Sequence, residues 1–237
     1  MTRYTEFIEH VEHVEHVEHS VRTFKRRSGR VSSTQEDALD RLWPSFGVPL
    51  DGTRLDLATL FGRTAPVVLE IGFGMGEATA AMAQAQPELD VVAVDVHTPG
   101  QGNLLKLLEA SELTNVRLVS GDARVLLASM LPAASLHAVR VFFPDPWPKA
   151  RHIKRRLVTA GLVDMVADRL ADGGTLHVAT DMAFYADDVR SVMASHPLLR
   201  VTAEVPWRPE TKFERRGVAA GRVSHDVAAV RVRRTAA

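Results

Sequence analysis

From Pro66 onward the chain repeats one pattern: a short apolar run, a turn, then a longer stretch with helical spacing. The apolar runs fall at 67–71, 91–96, 116–120, 138–143 and 175–179, the last preceded by Gly173-Gly174. Helices are expected over 77–86, 102–111, 125–131, 156–170 and 184–195, followed by less regular segments with two further possible strands. Runs this short and this apolar are strands buried on both faces. Their alternation with helices implies an α/β fold with a mostly parallel, doubly wound sheet. Ligands on such sheets bind beyond the carboxyl ends of the strands, so the residues at 70–76, 95, 122 and 143–149 are the first candidates for function.

The first run opens directly into Gly72-Phe73-Gly74-Met75-Gly76. Glycines let a backbone turn tightly and approach a ligand with no Cβ in the way. A dinucleotide fingerprint needs its third glycine at position 77, which holds Glu77, and a pyrophosphate at that helix N-terminus would be repelled by the acid. The spacing of Glu70, Gly72, Gly74 and Gly76 instead resembles the first motif of Rossmann-like methyltransferases. Their methyl donor, S-adenosylmethionine, has no phosphate, and carboxylates suit its cationic amino group and sulfonium. Asp95 ends the second run, placed for ribose hydroxyls, and Asp122 follows the third, where a side chain can meet an adenine edge. Each acid also has a plainer reading as a helix N-cap, Asp122 above all.

The fourth run ends in Phe142-Phe143-Pro144-Asp145-Pro146-Trp147-Pro148-Lys149. Three prolines in five residues restrict the backbone and hold Asp145 and Trp147 at the strand end. Trp147 offers a stacking face for a base, and the acid-free cations Lys149, Arg151, Lys154, Arg155 and Arg156 suit phosphates. The alternative is a rigid surface turn with the Trp packed inward.

Charge alone points the other way: 29 basic and 29 acidic residues give a net charge of zero. The distribution restores the case, because Arg22, Lys25, Arg26, Arg27 and Arg30 form a second acid-free cluster, and a phosphate backbone responds to the local field. The chain has no cysteine, which excludes disulfides, thiolate metal sites and a cysteine nucleophile and suits the cytoplasm. No apolar stretch is long enough for a bilayer, and Glu6, Glu9, Glu12, Glu15 and Glu18 stand where a signal peptide needs an apolar run. A cytoplasmic protein is expected. The Glu-His-Val repeat within residues 9–19 has period three, which matches neither helix nor strand. The expected organisation is therefore a low-complexity extension over 1–19, a basic arm with a short helix near 35–42 over 20–62, and the α/β domain over 63–237.

The Phe143-to-Lys149 segment, with His152, Lys154, Arg155 and Arg156 after it, resembles the bacterial tRNA (guanine-N7)-methyltransferases. The resemblance extends to the basic residues 22–30, to Asp95-Val96-His97 with Pro99-Gly100, to Thr180-Asp181 with Tyr185-Ala186, and to residues 208–217. It covers the chain from about residue 20 to its end. It implies a Rossmann-like class I fold and methyl transfer from S-adenosylmethionine to N7 of the variable-loop guanine at tRNA position 46, with tRNA as partner, no metal, and no obligate protein partner evident. By the same resemblance Glu70, Gly72, Gly74, Gly76, Asp95, Asp122 and Asp145 bind the cofactor, with Asp145 also catalytic. Lys149, Asp181, Thr211, Lys212, Phe213 and Glu214 bind the substrate. The residues alone leave open how Asp145 and Asp181 divide the work, and whether the chain acts on another RNA or is a non-catalytic RNA-binding module.

Overall fold

The computed structural model describes residues 30–233. The Glu-His-Val extension and the basic residues Arg22, Lys25, Arg26 and Arg27 lie outside them. The described residues form two compact units, 30–131 and 132–233.

The first unit opens with helix α1 (Ser33–Phe46), capped by Ser32 and Gln35 in a reciprocal box. Sequence reasoning stops this helix at Trp43-Pro44, but it runs on to Phe46 with Pro44 inside it. Near the C-terminal end the missing proline N–H costs a single ladder bond. The buried Trp43 also anchors the last turn, and its carbonyl accepts from Gly47 N–H. Strand β1 (Gly47–Val48) follows where a loop is expected. Helix α2 (Leu57–Phe61) leads to strand β2 (Val67–Ile71), helix α3 (Glu77–Ala85), strand β3 (Asp90–Asp95), helix α4 (Thr98–Ala110) and strand β4 (Val116–Ser120). The chain then forms a helical turn, Ala123–Val125, that continues as a π-helix over Leu126–Met130. The strand order is β1-β4-β3-β2, with every pair parallel. All five residues of β2 are buried, as a strand covered on both faces requires. Helix α1 lies against α4: Gln35 Nε2–H donates to Pro99 O (3.0 Å), and a Cβ on Gly102 would come within 2.8 Å of Gln35 Cβ.

The second unit contains strand β5 (Leu136–Phe142), a 3-10 turn (Ala150–Arg155), helix α5 (Ala160–Arg169), strand β6 (Leu170–Thr180), helix α6 (Ala183–Ser195), strand β7 (Leu199–Thr202), helix α7 (Lys212–Ala219) and strand β8 (His225–Arg231). The order is β5-β6-β8-β7. Strand β5 pairs parallel with β6, whereas β8 runs antiparallel to both β6 and β7. Strands β7 and β8 are the further strands left open by sequence. The helix expected over 156–170 starts later, at Ala160 with Thr159 as its cap, because Arg156 and Val158 are extended or anchored before it. Strand β6 is longer than expected and absorbs Gly173-Gly174, with a register shift against β5 between Leu136 and Ala138. Among the described residues the strand pairs are thus mostly parallel, as the alternation of strands and helices demands.

The two glycine types of the first unit separate by cause. Gly72 has φ 79° with open space where a Cβ would stand, so only its backbone conformation requires glycine. Gly100 requires it for space, because a Cβ there would lie 1.8 Å from Gly74 O. Gly100→Ala is therefore expected to cost about 3 kcal/mol or more through backbone displacement, and Gly72→Ala about 1–2 kcal/mol through the left-handed conformation alone. Equal urea midpoints for the two variants would contradict this division.

Candidate functional site

In the first unit the carboxyl end of β2 passes into the glycine turn. Gly72, Gly74 and Gly76 all adopt positive φ, of 79°, 59° and 78°. A Cβ at Gly72 or Gly74 meets nothing within 4 Å, whereas at Gly76 it would sit 2.6 Å from Leu104 Cβ. The first two glycines leave the peptide surface open to a ligand, and the third lets α3 and α4 pack. Asp95, at the end of β3, ties the turn down. Its Oδ2 accepts from Gly74 N–H (2.8 Å) and its Oδ1 from His97 N–H (3.0 Å). Burial pushes the Asp95 carboxyl upward from its ordinary value, against the two N–H donors that pull it down. Gln101 Nε2–H donates to Asp95 O and Ser120 Oγ, and Asn103 Nδ2–H donates to Met75 O, so α4 grips both strand ends. Glu70 is buried at the end of β2.

Asp122 fits its plainer reading. It caps the turn at Ala123, accepting from Arg124 N–H (2.9 Å), and both its oxygens face the Arg124 guanidinium. The arrangement of Glu70, Asp95 and the glycines suits S-adenosylmethionine: the backbone of Gly72 and Gly74 is open, and acids flank it. Asp122 shares its carboxylate with Arg124, and a ligand there would meet both groups.

Asp145, Lys149, Asp181 and residues 211–214 belong to the second unit. The segment bearing Asp145 is bounded by two residues in the left-handed region, Phe143 (φ 51°) and Trp147 (φ 41°). Bulky residues there are strained, and such strain persists only where surroundings impose it. Arg156 is one source. It is buried, its Nε–H donates to Pro146 O (3.0 Å), it pairs with Asp188, and it lies over the Phe184 and Tyr185 rings at 5.1 and 5.2 Å. Sequence reasoning counts Arg156 with the phosphate-binding cations. Its burial and pairing make it an anchor of the loop instead, and Lys149, Arg151, Lys154 and Arg155 remain as the exposed cations. Tyr185 is likewise internal: its hydroxyl accepts from Val158 N–H (3.2 Å), and burial pushes its pKa up to about 12. Trp147 is half-buried, with Arg155 over its ring at 5.2 Å and His152 edge-on at 5.6 Å.

Asp181 directly follows β6 and accepts from Arg222 Nε–H (2.7 Å), a side chain about half exposed. Thr211 and Glu214 form the capping box of α7, with Glu214 also gripped by Arg208. Lys212 opens that helix and Phe213 follows. Arg208 also spans both oxygens of Asp226 (2.7 and 2.9 Å), and Asp226 Oδ1 lies 2.7 Å from His177 Nε2. Sequence reasoning misses Asp226 and His177 entirely. The available signal is a polar residue set against an apolar run, as in Leu176-His177-Val178 and Asp226-Val227-Ala228.

A family model described as "Putative methyltransferase" matches residues 64–227. A tRNA (guanine-N(7)-)-methyltransferase of Streptomyces avermitilis is 51% identical over 214 residues, covering 87% of this chain and 74% of that protein. One of the same name from Nitrosospira multiformis is 50% identical, covering 87% of this chain and 91% of its own. Among solved structures, the 16S rRNA methyltransferase KamB matches with TM-score 0.56 at 17% identity, over 76% of this chain and 95% of that one. The antibiotic-resistance methyltransferase Kmr matches with TM-score 0.53, also at 17% identity, over 77% and 94%. These two establish the Rossmann-like class I methyltransferase fold.

The ion array of the second unit has a pH signature. Burial opposes ionisation of Asp226, but hydrogen bonds from His177 and Arg208 outweigh it and hold the carboxyl well below its usual range. The Arg208 contact likewise holds Glu214 down. Groups with depressed folded values contribute stability that is present above the usual carboxylate range and lost as pH falls through the depressed values. Unfolding stability is expected to fall below about pH 4, and Asp226→Asn should lower the urea midpoint at pH 7 and flatten that acid limb. An acid limb of unchanged slope in the variant would exclude this array as its source.

Proposed function

This chain belongs to the tRNA (guanine-N(7)-)-methyltransferase family, and on that premise we propose that it methylates the variable-loop guanine of tRNA, with Asp145 at the reacting base. S-adenosylmethionine supplies a methyl group already activated on sulfonium. The observation that carries the reading is the Asp145 segment, held between two strained residues at the end of β5 and followed by exposed Lys149, Arg151, Lys154 and Arg155.

Guanine N7 bears an in-plane lone pair and no proton, so no side chain has to act as a base in the transfer. The protein's tasks are alignment and exclusion of water. Glu70, Asp95, Asp122 and the open backbone of Gly72 and Gly74 hold the methyl donor. Positive charge grows on the purine during transfer, and a fixed carboxylate near it is favourable. Carboxylates also accept from guanine N1–H and N2–H, a pattern adenine cannot offer. Asp145 and Asp181 are the candidates for these roles. At Asp181 the guanine edge would share or displace Arg222, whose side chain is about half exposed. Thr211 and Glu214 act by shaping the start of α7, the helix that Lys212 and Phe213 open. Among the described residues no helix is long and apolar enough to cross a membrane.

Nucleoside analysis of tRNA incubated with the enzyme and labelled cofactor should find 7-methylguanosine at the variable loop. Label in another nucleoside, or none, would refute the reading. Asp145→Asn keeps the shape and removes the charge, and its single-turnover rate should drop roughly a hundredfold with cofactor affinity little changed. Asp95→Ala should instead weaken cofactor binding by roughly 1–3 kcal/mol.

The corrected role of Arg156 separates it from its neighbours. Arg151→Ala and Lys154→Ala should each reduce the salt slope of tRNA binding by roughly 0.7–0.9. Arg156→Met should leave the slope alone and lower the thermal midpoint. A slope reduced by Arg156→Met would return that residue to the phosphate contacts.

A further inference from the structure

The strain at Phe143 has a source besides the Arg156 anchor at Pro146. In the sheet register Phe142 lies opposite Ala179, and Ala179 opposite Asp226, while His177 pairs with Ala228. His177, Asp226 and Phe142 therefore share one face as diagonal neighbours. The Phe142 and His177 rings meet edge to face at 5.0 Å. Arg208 closes this face. Its guanidinium lies 5.7 Å from the Phe142 ring centre and 5.4 Å from that of Phe143, and it forms two hydrogen bonds to Asp226 and two to Glu214. Its side chain is only 8% exposed. Phe143 N–H in turn donates to Ala179 O (2.8 Å). The residue two before Asp145, at φ 51°, is thus held by a ring contact on one side and a backbone bond on the other.

We infer that Arg208 is a positioning residue for Asp145: braced by Asp226 and Glu214, it holds the Phe143 ring and so keeps the following Pro-Asp-Pro segment in its strained course. The inference rests on the assignment of Asp145 to the reacting base. Arg208 itself contacts neither substrate nor cofactor in this role. Only a planar, multiply donating guanidinium can span two carboxylates and lie against two rings at once. A lysine keeps the charge but loses the fork and the stacking.

The test is a double-variant cycle in single-turnover methylation with saturating cofactor and tRNA. Arg208→Lys is expected to slow the step roughly tenfold, with tRNA KM and S-adenosylhomocysteine affinity within about twofold of wild type. Combined with Asp145→Asn it should add nothing, because the charge whose placement it serves is already gone. A merely structural residue would slow the Asp145→Asn enzyme by the same factor as the wild type. If Arg208→Lys does not fold, Asp226→Asn, which removes one brace of the guanidinium, takes its place in the cycle with the same expectation. A wild-type rate in the folded brace variant, or a fully additive double variant, overturns the positioning role alone. A wild-type rate in Asp145→Asn by itself overturns the assignment of Asp145, and the positioning role with it.

Discussion

The first unit depends on how closely two backbones approach. The carbonyl of Gly74 faces the start of α4 at a distance that leaves no room for a Cβ on Gly100. Everything at the expected donor site follows from that contact. It sets α4 so that Gln101 and Asn103 can reach Asp95 O and Met75 O, and it keeps Gly74 N–H within reach of the Asp95 carboxylate. Asp95 is consequently a structural and a ligand-directed group at once. Its two backbone donors offset the cost of its burial, and lone pairs remain for hydroxyls.

The second unit solves a different problem, holding a loop in a course its residues resist. Two bulky residues with positive φ flank Asp145, each an expense of roughly 1–3 kcal/mol. Buried arginines impose both ends: Arg156 grips Pro146 O, and Arg208 backs Phe143. Arginine suits this task because its fork satisfies several acceptors while its flat face packs on rings. The basic character of the segment is thus divided, with some cations turned inward to build the loop and others left at the surface for a polyanion.

This division explains why residues 208–217 read as a substrate motif while much of their chemistry is internal. Thr211 and Glu214 cap α7, and Glu214 completes the array around Arg208. A polar string can carry function through the shape it enforces as well as through direct contact.

The sequence by itself determined the alternation of strands and helices, the glycine turn and the acids at the strand ends, because each is written in local periodicity or in a single residue's conformational freedom. Val116–Ser120 and the start of α3 at Glu77 fall where the pattern puts them. The segment from Phe143 to Lys149 was likewise legible, since three prolines advertise a fixed backbone. What only the tertiary structure decided is which polar groups face each other. Strand β1 exists because β4 offers it a parallel edge, not because Gly47-Val48 has strand propensity. Arg156 and Arg155 are neighbours in sequence, yet one is buried against Pro146 O and Asp188 while the other lies over Trp147 at the surface. His177, Arg208 and Asp226 are scattered over fifty residues and meet only through the register of β6 and β8. Long-range pairing of this kind has no local periodicity to announce it; it is fixed by which strands lie side by side, and that is a property of the folded sheet.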